Sequence, residues 1–110
     1  MTGKSVKQLR TRAKLSQEDL ARLVGTSWAS VSRWERSVAR PNAKARARLQ
    51  RLTELVQRIG DAVPTEALPD FLLTPHALLR GYRPVDLLDS GYSYQDLLAF
   101  VESAKSGDMT

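Results

Sequence analysis

The sequence of 110 residues contains no cysteine. Disulfides, thiolate metal sites and cysteine nucleophiles are therefore all excluded. No apolar run approaches the roughly 20 residues that a membrane-spanning helix needs, and the N-terminus lacks the apolar core of a secretory signal. We therefore expect a cytoplasmic protein.

Residues suited to catalysis are also scarce. His76 is the one histidine, and neither a nucleophile pattern nor a glycine-rich phosphate loop accompanies it. We expect His76 to be a surface or capping residue. Asp86, Asp89 and Asp96 lie beside expected helix ends, where carboxylates act as caps. We therefore predict that the protein is not an enzyme and has no catalytic residue, metal site or cofactor.

The two halves of the chain differ in the sign of their charge. Residues 1–60 hold 14 Lys or Arg against 4 acids, a net charge of +10, while residues 61–110 hold 3 against 8, a net charge of −5. A basic half suits a phosphate backbone, although a charge run alone is as often only a solvated surface. DNA would repel the acidic half, so we expect that half to serve another purpose.

The most informative stretch is residues 16–36, SQEDLARLVGTSWASVSRWER. Ser16 begins a capping-box pattern, and apolar residues with the i, i+3, i+4 spacing of a helix follow it. Gly25 provides the permissive backbone that ends this helix, and Ser27 can cap a second one. Two short helices joined by so tight a turn must cross steeply, which predicts a helix-turn-helix.

The rest of the chain is also predicted to be helical. Apolar spacing indicates an opening helix at about residues 5–14, and Pro41 fits the first turn of a long fourth helix. Residues 60–70 contain one Gly and two Pro, which is typical of a linker. Nothing alternates with period two for long enough to be a strand, so the predicted fold class is all-α. We predict two domains, residues 1–60 and residues 61–110.

The segment LSQEDLARLVGTSWASVSRWER resembles the Cro/Xre (phage-repressor-like) helix-turn-helix family, over about residues 4–59. The shared features are the Leu-Ser-Gln-Glu opening, the Gly-x-Ser turn and the Ser-Arg-Trp-Glu recognition helix. Ser37 is a departure, because the family usually places glycine there. The resemblance implies a DNA-binding transcriptional regulator that binds a palindromic operator as a homodimer. Candidate dimer contacts are the long fourth helix and the last helix, with Tyr92, Tyr94 and Phe100.

The outward face of the recognition helix holds four candidate base contacts, Trp28, Ala29, Ser32 and Arg33. Arg33 can donate twice to guanine O6 and N7, or alternatively form an ion pair with Glu35 or another surface acid. Ser32 can reach a base or a phosphate, and Ala29 offers a methyl contact to thymine. For Trp28 we expect stacking on the sugar–phosphate edge or contact with a thymine methyl, the alternative being packing against a neighbouring helix.

Phosphate contacts are predicted around this helix. Gln17 begins the first motif helix, where backbone N–H groups point outward. The family resemblance adds five further candidates: Arg10, Ser27, Ser30, Arg40 and Asn42. Each of them is alternatively an ordinary exposed polar residue.

The acidic half resembles a second family. Its segment FLLTPHALLRGYRPVDLLDSG is similar to the toxin-binding domain at the C-terminus of Xre/MbcA/ParS-type antitoxins, over about residues 61–106. Phe71 stands where Trp is common, and His76 stands where Asn is frequent. The shared residues, which the resemblance implies as partner-binding, are Phe71, Leu72, Pro75, Leu79, Gly81, Pro84, Leu87 and Leu88.

Together the two resemblances imply an antitoxin of a type II toxin–antitoxin pair, which represses its own operon and neutralises a toxin. In related systems the toxin is often a RES-domain protein that consumes NAD, and residues 103–110 would then be the segment that blocks its pocket. Two alternatives stay open. One is a freestanding dimeric transcription factor that uses the second domain for dimerisation or another partner. The other is an adaptor that no longer binds DNA, against which the charge of residues 1–60 argues.

Overall fold

The computed structural model describes residues 2–89 and 91–106. Within these ranges the chain forms helices and no strand, which confirms the predicted all-α fold class. None of the described helices is both long and apolar enough to span a membrane. The α-helices are α1 Gly3–Arg12, α2 Gln17–Val24, α3 Trp28–Glu35, α4 Ala43–Ile59, α5 Leu68–Leu73 and α6 Gly91–Ser106. Short 3₁₀ turns are Gly60–Ala62, Thr65–Ala67, Ala77–Leu79 and Pro84–Leu88.

The chain divides into two compact units, Met1–Gln50 and Arg51–Thr110. Helix α4 runs through the division, so its first half belongs to one unit and its second half to the other. The predicted domain ranges, 1–60 and 61–110, place the boundary at the end of α4 instead. The apolar stripe of this helix is long because it contributes to two cores.

The first unit is built on local capping signals. Thr2 Oγ1 accepts from the Ser5 backbone N–H at 3.1 Å, so α1 begins two residues before its predicted start. Ser16 makes both bonds of the predicted capping box, and Gly25 ends α2 in the left-handed region at φ 84°. The buried apolar residues of this unit are Val6, Leu9, Ala13, Leu15, Leu20, Ala21, Leu23, Val24, Val31, Trp34 and Leu49.

Helix α4 begins differently from the prediction. Asn42 Oδ1 accepts from the Ala45 backbone N–H at 2.8 Å, so Asn42 caps the helix. Pro41 therefore lies before the cap, and its predicted place in the first helical turn is wrong. The Asn42 side-chain oxygen accepts from a backbone N–H of the first turn, which has no partner inside the helix. A proline side chain has no acceptor for that N–H, which explains why the helix starts after Asn42.

Ser37, which follows α3, adopts a positive φ of 60°. A Cβ is strained in this region, and glycine is not. We expect Ser37→Gly to raise the free energy of unfolding by about 0.5–1 kcal/mol, since strain relief exceeds the entropy that glycine adds to the unfolded chain. Urea denaturation measures this difference. Ser37→Ala is the control, because it removes the hydroxyl and keeps the Cβ; an equal gain for both variants would contradict the explanation.

The second unit packs the second half of α4 with α5, the turn Pro84–Leu88 and α6. Arg51 Nη1 donates to the Leu88 carbonyl at 2.5 Å, and Tyr94 Oη donates to Glu54 Oε1 at 2.5 Å. Burial, followed by this hydrogen bond to a carboxylate, raises the pKa of Tyr94 well above its usual value. The buried apolar side chains of this unit include Leu52, Leu55, Ile59, Leu68, Leu72, Leu79, Pro84, Val85, Leu88, Tyr94, Leu97, Leu98 and Val101.

Candidate nucleic-acid interface and partner surface

The outward face of α3 carries the four predicted base-contacting residues together. Trp28 is 56% exposed although it is a large aromatic residue. Arg33 is exposed, while Ala29 and Ser32 are half-buried. The inward side chains of the same helix are buried in the first unit. More than half of the Trp28 surface is therefore open to a ligand, and packing against a neighbouring helix, one of its alternatives, covers only the remainder at most.

The start of α3 is held by two serines. Ser27 Oγ accepts from the Ser30 backbone N–H at 3.2 Å and donates to Ser30 Oγ at 3.1 Å. Both residues were predicted to contact phosphates. Here the Ser27 hydroxyl caps the recognition helix and the Ser30 hydroxyl accepts a hydrogen bond from it, and the part of both residues in DNA binding stays a prediction.

Arg10 lies in a bridge between helices that sequence reasoning missed. Its Nε donates to Glu35 Oε2 at 2.8 Å, and its Nη2 donates to Glu35 Oε1 at 3.0 Å. Gln17 Nε2 donates to the same carboxylate at 3.3 Å, so α1, α2 and α3 meet at Glu35. The pair anchors α3, and a phosphate contact of Arg10, whose side chain is still 22% exposed, stays a prediction.

The charge state of Glu35 follows from this geometry. Burial acts to raise the pKa of Glu35, but the hydrogen bonds from Arg10 and Gln17, together with the positive charges of Arg10 and Lys7, outweigh it. The pKa of Glu35 consequently lies below its usual value. The carboxylate is ionised and fully engaged at neutral pH.

Among the described residues Arg33 forms no ion pair, with Glu35 or with another surface acid. Its possible ion-pair partner, Glu35, is occupied by Arg10 and Gln17. Among the residues that the structure describes, none hydrogen-bonds to the Arg33 guanidinium. The donors of Arg33 are thus available to a ligand at the outward face of α3.

A basic cleft lies beside the loop that follows α3. It has a volume of about 410 Å³, and no acidic residue lines it. Arg40, a predicted phosphate contact, shares it with Arg46 of α4, which sequence reasoning did not single out. The position of Arg46, four residues after the Asn42 cap, is the signal that could have pointed to it. Asn42 itself uses its side-chain oxygen as the cap and stays exposed.

Half of the predicted partner-binding residues form the core of the second unit. Leu72 and Leu88 are fully buried, Leu79 is 6% exposed, and Pro84 is also buried. Fully buried side chains cannot contact a partner while the unit stays folded, so the prediction for Leu72, Pro84 and Leu88 is corrected: they determine the fold of this unit. Leu79 also lines the groove described below, so its contact with a partner stays a prediction.

The other four predicted residues reach the surface to different degrees. Pro75 and Gly81 are exposed, while Phe71 and Leu87 are half-buried. The Phe71 ring lies 5.2 Å from the His76 ring and 6.4 Å from the Phe100 ring. His76 is therefore part of a small aromatic cluster. Contact of these four residues with a partner stays a prediction.

Two large exposed residues in the second unit were missed. Leu78 is 68% exposed and Tyr82 is 54% exposed, and both line a groove of about 700 Å³. Leu87 and Phe100 also line it, and Arg80 is one of its polar lining residues. We call Leu78, Tyr82, Leu87 and Phe100 the 78/82 surface. Spacing could not have identified it, because Leu78 and Tyr82 lie between the positions shared with the toxin-binding family.

Other predicted elements lie partly outside the description. Tyr94, a candidate dimer contact, is 7% exposed and belongs to the core of its unit, so that prediction is corrected. The side chain of Tyr92 and residues 107–110 lie outside the described residues. Ser103, where the predicted blocking segment starts, belongs to α6. Within the described ranges, no cluster of three or more His, Asp or Glu residues could hold a metal ion.

The comparisons with known proteins agree with the geometry of the first unit. Residues 6–53 match the helix-turn-helix family model. The chain carries a Cro/Xre-type helix-turn-helix domain. This domain includes most of α1, all of α2 and α3, and the first part of α4. The predicted motif and its resemblance to this family are confirmed.

Similarity to known proteins extends beyond the helix-turn-helix domain. The chain is 27% identical over 96 residues to the mycobacterial cidal antitoxin MbcA of Mycobacterium tuberculosis and of Mycobacterium bovis, covering 87% of this chain and 84% of the relative. Its structure is similar to a chain of the crystal structure of the M. tuberculosis MbcT–MbcA toxin–antitoxin complex. The TM-score is 0.77 and the identity 25%, covering 98% of this chain and 96% of that chain. The second predicted resemblance is therefore confirmed as well.

Proposed function

We propose that this protein is a DNA-binding antitoxin: its first unit binds operator DNA and represses its own operon, and its second unit binds and neutralises a toxin. The observation that carries the proposal is the outward face of α3. There Arg33 is exposed and has no partner among the described residues. On the inward face of the same helix, Val31 and Trp34 are buried in the core of the first unit. Similarity to MbcA over most of the chain supports the antitoxin role.

DNA binding is supported by charge as well as by shape. Residues 1–60 carry a net charge of +10, and the basic cleft places Arg40 and Arg46 beside the end of the recognition helix. One recognition helix reads too few bases for a useful specificity ratio. We therefore propose a homodimer on a palindromic operator, with half-sites about one helical turn apart, in the cytoplasm.

Toxin binding is supported by the second unit. Residues 61–110 carry a net charge of −5, which disfavours DNA, and the 78/82 surface exposes apolar area that water solvates poorly. The similar chain comes from a toxin–antitoxin complex, so we propose a toxin as the occupant of this surface. A RES-domain toxin that consumes NAD is the proposed class. This protein would act on it by binding, without a catalytic step of its own.

Two arginine variants test the DNA-binding part. We expect Arg33→Ala to weaken operator binding by about 1–3 kcal/mol and to relax the preference at one base pair. Arg40→Ala should weaken operator and random duplexes alike and reduce the slope of log K against log salt by about 1. Fluorescence anisotropy on both duplexes measures these effects. Arg83→Ala in the second unit is the control, and equal losses on both duplexes for Arg33→Ala would contradict its role.

Co-expression with the product of the adjacent gene tests the antitoxin part. We expect the two proteins to purify together, and the partner to arrest growth when it is expressed alone. A protein that purifies as a lone homodimer, binds its operator tightly and has no effect on the adjacent gene product would instead be a freestanding transcription factor.

A further inference from the structure

We infer that each α3 helix reads a thymine through the indole of Trp28 and a guanine through the guanidinium of Arg33, with the two bases about two base pairs apart in each half-site. The inference rests on the proposed DNA-binding function. It adds which base edges the helix recognises, and therefore what the operator must contain.

Trp28 is placed at the end of α3 that enters the DNA groove. It is the first residue of the helix, directly after the Ser27 cap, and it is 56% exposed. In helix-turn-helix proteins the N-terminal residues of the recognition helix contact base edges. Of the groups on base edges in the major groove, the thymine methyl is the apolar one. An exposed indole gains most by contact with that methyl, because both surfaces leave water.

The positions of the neighbouring residues favour a base over the sugar–phosphate edge for Trp28. Trp28 and Ser32 are four residues apart, so they lie on the same face of the helix, and Ala29 and Arg33 are related in the same way. Ala29 has a small side chain, which lets the base edge approach the helix closely. The indole thus belongs to the face that meets the bases. The serines beside it, Ser27 and Ser30, are engaged with each other at the cap.

Arg33 provides the second contact. Glu35, one of its predicted alternative partners, is held by Arg10 and Gln17, and none of the described residues hydrogen-bonds to the Arg33 guanidinium. A free guanidinium on this face matches guanine, whose O6 and N7 accept two parallel hydrogen bonds. Other bases lack that pair of acceptors in the major groove.

The helix geometry fixes the distance between the two bases. From Trp28 to Arg33 the helix rises by five residues, about 7.5 Å at 1.5 Å per residue. Successive base pairs lie about 3.4 Å apart. A helix lying along the groove therefore places the contacts near Trp28 and Arg33 about two base pairs apart.

Modified bases test both contacts. After footprinting has located the operator, each thymine of a half-site is replaced in turn by deoxyuridine, which removes only the methyl group. Each guanine is replaced in turn by 7-deazaguanine, which removes the N7 acceptor. We expect deoxyuridine at one thymine position to weaken wild-type binding about fourfold, which is the effect of one buried methyl group. We expect 7-deazaguanine at one guanine position to weaken wild-type binding about fivefold or more.

Two variants assign the contacts to residues, and each is the control for the other. Trp28→Ala should bind the thymine and deoxyuridine duplexes alike and still discriminate guanine from 7-deazaguanine. Arg33→Ala should bind the guanine and 7-deazaguanine duplexes alike and still discriminate thymine from deoxyuridine. Both side chains are exposed, so unchanged thermal melting should confirm that both variants fold.

The possible failures are distinguishable. If wild-type protein binds operator and scrambled duplexes equally, the proposed DNA-binding function is wrong, and the inference with it. If operator binding is specific but insensitive to deoxyuridine at every position, the inference alone is wrong. Sensitive positions that do not lie about two base pairs apart, or a Trp28→Ala variant that still discriminates thymine from deoxyuridine, would also overturn it.

Discussion

Replacing Glu35 by alanine is expected to lower the free energy of unfolding by about 2–4 kcal/mol, because it leaves the Arg10 guanidinium partly buried without its carboxylate. The Glu35 side chain is 7% exposed and that of Arg10 is 22% exposed, so water replaces the lost partner poorly. Gln17 loses its hydrogen-bond acceptor in the same variant. Urea denaturation monitored by circular dichroism measures the difference.

A double variant separates the ion pair from other effects of the substitution. Replacing Arg10 by methionine and Glu35 by leucine removes both charges while keeping most of the volume, and such a replacement is often close to neutral. We therefore expect the double variant to regain most of the stability that Glu35→Ala loses. A double variant as unstable as the single one, or a Glu35→Ala variant as stable as the wild type, would show that the bridge does not hold α3.

The same bridge predicts a pH dependence. The pKa of Glu35 is lower in the folded chain than its usual value, so the folded state binds this proton less tightly than the unfolded state does. The Glu35 carboxylate therefore stabilises the fold fully at a pH above its pKa in the unfolded chain, about 4.3. This stabilisation is lost as the pH falls through the lower pKa that Glu35 has in the folded chain. We expect the difference in stability between the wild type and Glu35→Gln to narrow below about pH 4. A difference that stays constant from pH 7 to pH 3 would contradict the pKa shift.

Replacing both Leu78 and Tyr82 by serine is expected to weaken toxin binding about a thousandfold, since large side chains near the centre of an interface each contribute about 2 kcal/mol. Both side chains are largely exposed in the free chain, at 68% and 54%, so the double variant should fold normally. Calorimetric titration with the co-expressed partner protein measures the loss.

A matched control distinguishes the surface from a general loss of apolar area. Val38 is 66% exposed and lies in the first unit. Val38→Ser removes exposed apolar area there and should leave toxin binding unchanged. Toxin affinity unchanged in the Leu78/Tyr82 variant would exclude the 78/82 surface. The predicted residues outside it that reach the protein surface, Phe71, Pro75 and Gly81, would have to be tested next.

Local signals explain how much of the first unit could be predicted. The capping box at Ser16, the left-handed Gly25 and the cap at Ser27 each act within a few residues, so sequence spacing is enough to identify them. The bridge between Arg10 and Glu35 joins residues 25 positions apart, and no spacing rule indicates such a contact. The role of Arg10 in anchoring α3 was missed for this reason.

The second unit shows a different limit of sequence reasoning. The positions shared with the toxin-binding family include both core and surface residues, because a family keeps the residues that form its fold as well as those that bind. Leu72 and Leu88 proved to be core, whereas Leu78, between them in sequence, is exposed. Apolar character is the same in all three, so only the burial of each side chain separates them.

The decisive experiment is an anisotropy titration of the full chain against labelled DNA from upstream of its own gene, compared with a scrambled duplex of equal length at the same salt concentration. If the first unit reads operator DNA through α3, the native duplex should bind about a thousandfold or more tightly than the scrambled one. Equal affinities for the two duplexes, or no binding by micromolar protein at low ionic strength, would contradict a DNA-binding antitoxin.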